Sequence, residues 1–125
     1  MRGSARSLAG KGAAMLSVDL KVLKNAYFLV CRGDVVGGKQ ADYLFDLITR
    51  DGTGDVILDF ASVNHVDAEG LSVLTTAYAL LAHMGRRLIL KSASVDLVGS
   101  LQARQMEAIL DTEQRSRAQA SSSMQ

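Results

Sequence analysis

Apolar and polar residues alternate with a period of two near the start of the chain. Residues 16–23 read LSVDLKVL, which makes one face of the segment apolar and the other largely polar. This alternation predicts a β-strand covered on one face, and the polar pair Lys24-Asn25 predicts a turn into a second strand over residues 26–32. Together the two segments predict an antiparallel hairpin at the edge of a sheet.

The next two segments have apolar positions that suit a helix and a buried strand. The first is apolar on one helical face and ends before the loop 51–54; the apolar residues are Ala41, Leu44, Phe45 and Ile48. The second segment, Val56–Phe60, is apolar except for Asp59. We expect a strand covered on both faces, with Asp59 near its carboxyl end.

A second helix is predicted to begin at Ala68. Asp67 suits its N-cap, because an aspartate carboxylate accepts hydrogen bonds from the free N–H groups of the first turn. One side of this helix is apolar and is predicted to face the core. Its residues are Leu71, Val73, Leu74, Ala77, Tyr78, Leu80, Leu81 and Met84. The opposite side is small or weakly polar and has no Lys, Arg, Asp or Glu: Ser72, Thr75, Thr76, Ala79, Ala82 and His83. Such a side allows another surface to approach closely, so it is either a packing face for the chain's own helices or a docking face for a partner.

The rest of the chain predicts one more helix between two short strands. Gly85 suits the C-cap of the second helix, and Leu88–Leu90 predicts a buried strand. Ser94 is the expected N-cap of the third helix, and residues 108–110 predict a last short strand. This order of elements predicts an α/β sandwich.

The composition agrees with one domain. A chain of 125 residues with 48% hydrophobic content can bury a real core, with little room for a second one. We assign residues 1–15 to a leader that is disordered or foreign to the native protein, residues 16–113 to the domain and residues 114–125 to a polar tail. Three of the 14 basic residues lie in the leader, which leaves 11 against 13 acidic residues elsewhere. No basic stripe results, so nucleic-acid binding is not predicted.

Location and cofactors follow from what the sequence lacks. No stretch approaches the ~20 apolar residues of a membrane-spanning helix, so direct membrane insertion is not expected. Cys31 is the only cysteine, which excludes a disulfide framework and favours a cytoplasmic location, and its apolar surroundings predict a buried strand thiol. The two histidines, His65 and His83, have no partner at metal-ligand spacing, so no metal and no other cofactor is predicted.

The turn between the central strand and the second helix resembles a known family. Residues 67–71 read Asp-Ala-Glu-Gly-Leu. This is similar to the Asp-Ser-Ser-Gly-Leu-like turn of the STAS domain, the sulphate transporter and anti-sigma factor antagonist family. The resemblance extends from about Leu16 to about Glu113 and includes Gly33-Asp34. It implies an α/β fold: a STAS-like sandwich with a mixed β-sheet, an N-terminal antiparallel edge hairpin and helices mainly on one face.

The resemblance also implies a function. It indicates a bacterial cytoplasmic protein that binds a serine-kinase-type anti-sigma factor and so regulates transcription. In that family the kinase phosphorylates the Ser after the turn's Asp. Ala68 stands at this position and has no hydroxyl group, so phosphorylation there is excluded. The alternative within the family is a STAS subunit that regulates the ATPase of a lipid-transporting ABC complex, which requires no phosphorylatable Ser.

Three interpretations of Ala68-Glu69 follow. The domain is constitutively able to bind, Glu69 mimics the phosphorylated form in part, or Glu69 complements the positive end of the helix dipole. We favour the constitutive interpretation for the domain and the helix dipole for Glu69. The predicted partner-binding residues surround the turn and the weakly polar helix side: Asp34, His65, Asp67, Ala68, Glu69, Gly70, Ser72, Thr75, Thr76 and Ala79. A homodimer is compatible with the sequence.

A competing motif lies at residues 33–40. Their sequence, GDVVGGKQ, fits the G-x-x-x-x-G-K part of a phosphate-binding loop. The last position of that motif needs Ser or Thr to hold magnesium, and Gln40 has no hydroxyl group. A P-loop-like nucleotide binder is therefore a remote alternative. Since no activated nucleophile accompanies the histidines, no enzymatic activity is predicted.

Overall fold

The computed structural model describes residues 15–50, 52–111 and 114. In this part of the chain the elements are β1 (Ser17–Leu23), β2 (Ala26–Val35), α1 (Lys39–Ile48), β3 (Asp55–Val66), α2 (Ala68–His83), β4 (Leu88–Lys91), α3 (Val95–Ala103) and a 3₁₀ turn (Glu107–Ile109). The strands form one sheet in the order β1-β2-β3-β4. The β1–β2 pair is antiparallel and the other two pairs are parallel. The predicted mixed α/β sheet with its antiparallel edge hairpin is therefore confirmed.

The core lies on one face of the sheet. In β3 the side chains of Val56, Leu58 and Phe60 are buried, whereas the alternate residues Ile57 and Asp59 are half-buried. The helices α1 and α2 pack against each other and over the strands on the buried face. Cys31 is also buried, as predicted.

Two features of β3 differ from the prediction. The strand is fully covered on one face rather than two, because Ile57 and Asp59 on the other face are only half-buried. Asp59 lies in the middle of the strand, which continues to Val66. The added residues pair with the end of β2, where the ladder has two irregularities. Extra residues at such irregularities disturb the alternation of side chains, so the sequence pattern does not show the strand's full length.

The predicted last strand is a 3₁₀ turn followed by a single bridge. Leu110 forms one parallel bridge with Leu90, and the N–H of Asp111 donates to the Leu90 carbonyl at 2.9 Å. A longer ladder cannot form, because β4 ends at Lys91 and Ser92 turns the chain with φ at 60°.

The P-loop interpretation is wrong on geometry. A phosphate-binding loop begins where its strand ends, so that consecutive N–H groups surround the phosphate. Here Gly33 is still paired with Val63 in the sheet, and β2 ends only at Val35. The connection to α1 is limited to residues 36–38, which is too short for that loop.

The predicted leader and tail lie outside the described residues, apart from Met15 and Gln114. The side-chain amide of Gln114 donates to the Ala93 carbonyl at 2.7 Å and accepts from the Ala93 N–H at 3.0 Å. These bonds hold the chain after the 3₁₀ turn beside the start of α3. Within the described ranges, no helix combines the length and apolar character needed to cross a bilayer.

Candidate partner-binding site

The candidate site lies where two parallel strands end side by side. Val35 at the end of β2 is the register partner of Val66 at the end of β3. The loops that follow the two strands therefore meet at the same end of the sheet. One loop, residues 36–38, leads into α1, and the other is the single residue Asp67 before α2.

Asp67 connects these two loops. One carboxylate oxygen, Oδ1, accepts from the Gly70 N–H at 2.7 Å and caps α2 as predicted. The other, Oδ2, accepts from the Gly37 N–H at 3.1 Å. The N–H of Asp67 donates to the Val35 carbonyl at 3.2 Å. These three bonds fix the position of the turn relative to β2 and α1.

The pKa of Asp67 lies below its ordinary value. Partial desolvation acts in the opposite direction and would raise it. The N–H donors of Gly70 and Gly37, together with the charge of His65 and the N–H of Glu69, outweigh desolvation because they stabilise the carboxylate. Asp67 is therefore a carboxylate near neutral pH.

Gly70 is buried because α2 starts directly against the end of β2. A Cβ atom at this position would collide with the Val35 carbonyl oxygen. The glycine of the turn is thus required by the close approach of two backbones, and not by an unusual φ angle. This contact sets how closely α2 packs onto the sheet.

Ala68 and Glu69 are both exposed at the start of α2. The Glu69 carboxylate lies over Gly37, where a side chain at residue 37 would overlap it. Glu69 therefore covers the loop after β2 from the outside. Its place in the first turn of α2 suits the helix dipole, and Ala68 presents a methyl group to solvent.

Asp34 and His65 are register partners on neighbouring strands, but they differ in exposure. His65 is exposed, whereas Asp34 is only 8% exposed. Asp34 thus offers little surface to a partner, although it lies behind the candidate site. Of these two residues, His65 is the one that a partner could contact at the surface.

The weakly polar side of α2 is open to solvent in the described structure. Its exposed members are Ser72, Thr76, Ala79, Ala82 and His83. Thr75 is half-buried, and its hydroxyl donates to the Ser72 carbonyl at 3.0 Å. Leu80 and Met84, predicted for the core stripe, are exposed as well. No described element packs over this side as the packing-face interpretation required.

The sequence did not predict a cleft that adjoins the site. It measures about 100 Å³ and opens between the end of β3 and the start of α3. It exists because β4 pairs with β3 only as far as Asp59, so that no described strand pairs with the rest of β3 on that side. The lining residues are Phe60, Val63, Asn64, His65, Val66, Ser94, Asp96 and Leu97. In the described residues no group of His, Cys, Asp or Glu is arranged to hold a metal ion.

Comparisons with known proteins agree with this architecture. A model of the STAS domain matches residues 18–119. A search of curated proteins gave no match. Among solved structures, the chain is similar to the murine Solute Carrier 26 family member A9 anion transporter in the inward-facing state, with a TM-score of 0.56 and 16% identity over 66% of this chain. The chain spans 14% of that transporter's length, and at this identity the likeness shows the fold alone. Because the family model covers most of the sequence, the chain belongs to the STAS domain family.

Proposed function

We propose that this chain is a constitutive protein-binding module of the anti-sigma factor antagonist type. Its partner docks on the exposed start of α2, at Ala68 and Glu69, and along the exposed α2 side that includes Ser72, Thr76 and Ala79. The observation that carries the proposal is this exposed helix side. It has no Lys, Arg, Asp or Glu between Leu71 and Ala82, whereas a solvated helix side ordinarily contains them.

The turn supports the proposal because contacts within the chain itself position it. Asp67 holds both loops, and Gly70 places α2 directly on β2. A docking surface that is rigid before binding loses little conformational entropy when its partner arrives. The proposed partner is a kinase-type anti-sigma factor. Its kinase activity cannot switch the contact at Ala68, because a methyl group accepts no phosphoryl group.

A second candidate function follows from the same residue. In a STAS subunit bound to the ATPase of a lipid-transporting ABC complex, the contact needs no phosphorylation. The methyl group of Ala68 favours this assignment over a phosphorylation-controlled switch. Both functions use the same surface and differ in the enzyme that occupies it.

The test is capture of partners from native-host lysate by the full chain, with identification by mass spectrometry. The face-blocked variant is Ser72→Glu with Thr76→Glu, which places two carboxylates on the docking side. The matched control is Ser100→Glu with Ala103→Glu, which adds two carboxylates at exposed positions of α3.

We expect a kinase-type anti-sigma factor to be captured by the wild type and the α3 control, and lost with the face-blocked variant. The complex should survive added ATP. Capture of an ABC ATPase with the same pattern would replace the first function with the second. If all three baits retain the same proteins, α2 is not the docking surface and the proposal fails.

A further inference from the structure

The two edges of the sheet differ in how they are covered. At one edge, β4 is met by Leu110 and by the N–H of Asp111. At the other edge, β1 pairs only with β2, and no described residue lies along its outer side. An open edge strand is a template for pairing with another strand.

β1 has some of the features that usually protect such an edge and lacks others. Proteins blunt open edges with proline, bulges or charged side chains, lysine especially. β1 has the exposed charges Asp19 and Lys21 on the face away from the helices. The chain contains no proline, and the β1–β2 register runs without a shift. The side chains on the helix-covered face of β1 are Val18, Leu20 and Val22, all apolar.

These apolar side chains are exposed instead of packed. Exposure rises along the strand, from partly buried Val18 to 38% for Leu20 and 70% for Val22. The neighbouring side of α1 adds Tyr43, which is 46% exposed. That side of α1 faces β1, because the Gln40 side chain one turn earlier accepts from the Leu16 N–H at 2.5 Å. An apolar surface thus extends from the sheet edge onto α1.

The backbone of β1 points alternate hydrogen-bonding groups outward. In a hairpin with a two-residue turn, the closing residues form a hydrogen-bonded pair, here Leu23 and Ala26. Every second residue back from Leu23 also faces β2. The N–H and C=O groups of Val18, Leu20 and Val22 therefore face the open side.

Among the antiparallel registers that pair more than half of β1 with a second β1, only one satisfies both the backbone and the charges. With the two-fold axis at Leu20, Asp19 of each copy lies opposite Lys21 of the other, while Val18 lies opposite Val22. Asp19 also accepts from Arg32 of its own chain at 2.7 Å in an exposed ion pair, so Lys21 of the other copy would join an existing pair. A slip of two residues places Asp19 opposite Asp19, or Lys21 opposite Lys21, and like charges directly opposite are destabilising. Over most of its length the strand is thus complementary to itself in a single register.

We propose that two copies of this chain pair through β1, antiparallel and centred on Leu20, so that their sheets join into one continuous sheet. The most exposed residue, Val22, then packs beside the least exposed, Val18, of the other copy. Leu20 meets Leu20 between the two α1 helices, near the two Tyr43 rings. The exposed side of α2 stays free, because α2 packs over β3 and β4 at the far side of the sheet.

Sedimentation velocity of the full chain over a dilution series, with charge variants, tests this pairing. We expect the wild type to dimerise reversibly. Asp19→Lys and Lys21→Asp should each raise the dimer dissociation constant about tenfold or more, because each sets like charges opposite one another twice. An equimolar mixture of the two variants should form a heterodimer, since every opposed pair is then of opposite sign. Asp46→Lys, an exposed charge reversal on α1, should leave dimerisation unchanged.

A wild type that sediments as a monomer throughout would overturn the proposal. So would a dimer that is indifferent to both reversals, since it would use another surface. A cross-linking experiment tests the same register without the charge variants, in case these variants fail to fold. Leu20→Cys should form a disulfide-linked dimer under mild oxidation, because Cα atoms of a hydrogen-bonded antiparallel pair lie ≈ 5.5 Å apart, within disulfide range. Val22→Cys alone should not, and equal cross-linking of both variants would contradict the register.

Discussion

The Asp67 carboxylate links two loops that are 30 residues apart in sequence. Its cap of α2 was predictable, since an acid directly before an apolar helical stripe is a common N-cap. Its second bond, to the Gly37 N–H, depends on β2 and β3 lying side by side. The same residue thus combines a local role that the sequence shows with a tertiary role that it does not.

Asp67→Ala should lower the free energy of unfolding by about 1–2 kcal/mol, because the N–H groups of Gly70 and Gly37 lose their acceptor. Asp67→Asn should cost less, since its carbonyl oxygen can still cap α2 while its amide cannot also accept from Gly37. Urea denaturation of both variants measures the difference. Equal losses in the two variants would argue against the cap.

Stability should fall in acid, and Asp67 contributes to the fall. Its folded-state pKa is lowered, so its stabilising contribution is present above the unfolded-state pKa, about 3.9, and is lost as pH falls through the folded value. Asp55 acts in the same direction, because its hydrogen bond from the Arg87 side chain lowers its pKa despite slight desolvation. Denaturation between about pH 2 and 6 should show a smaller acid slope for Asp67→Asn than for the wild type. An unchanged slope would show that the pKa of Asp67 is not lowered in the folded protein.

The Cys31 thiol should be inert in the folded protein. Burial, assisted by the nearby Asp59 charge, raises its pKa to about 12, so the reactive thiolate is scarce at neutral pH. A thiol-specific reagent should modify native protein far more slowly than protein unfolded in guanidinium. Rapid labelling of the native form at the rate of the unfolded form would contradict this burial.

At the scale of elements, the distance of α2 from the sheet depends on one glycine. Gly70→Ala should destabilise the fold by about 1–3 kcal/mol, because the added methyl group collides with the Val35 carbonyl. Gly99 is the matched control: it lies in α3, is exposed and has nothing within 4 Å of an added Cβ. Gly99→Ala should be neutral or stabilising by up to about 1 kcal/mol, since alanine favours a helix over glycine. Thermal unfolding of both variants measures the contrast, and similar effects would refute the close contact.

Strand lengths were the least predictable feature at this scale. The apolar core of β3 is visible in the sequence, but the strand continues from Phe60 to Val66 through mixed polar and apolar residues with irregular pairing. That continuation is stabilised by hydrogen bonds to β2 and has no side-chain pattern of its own. The cleft beside α3 exists because of this continuation of β3, so the sequence pattern did not predict the cleft either.

At the scale of the whole molecule, Arg86 connects elements at the end of the sheet opposite the candidate site. It is only 3% exposed, and it donates to the carbonyls of Gly54 at 2.8 Å and Arg50 at 3.2 Å. Its guanidinium also lies 5.9 Å from the centre of the Tyr27 ring. Nothing in the sequence separates Arg86 from Arg87 beside it, yet Arg87 is exposed and pairs with Asp55 at the surface.

Arg86→Met should lower the free energy of unfolding by about 2–3 kcal/mol, because two carbonyl groups lose a charged donor. The neighbouring change Arg87→Met should have a much smaller effect, since its ion pair is exposed to solvent. Chemical denaturation of the two variants side by side tests the assignment. A larger loss for Arg87→Met would mean that the burial of the two arginines is reversed.

The sequence by itself determined the order of elements as far as α3, the edge hairpin, the cap of α2 at Asp67 and the absence of a hydroxyl at Ala68. Each depends on neighbours within a few residues, through alternation, helical periodicity or capping chemistry. Tertiary structure decided which acids are exposed, so that Asp34 is buried while Glu69 covers Gly37. It also decided the length of β3, the burial of Arg86 and the outer side of β1, along which no described residue lies. These features depend on which segments lie side by side, and contacts between distant residues leave no periodic signal in the chain.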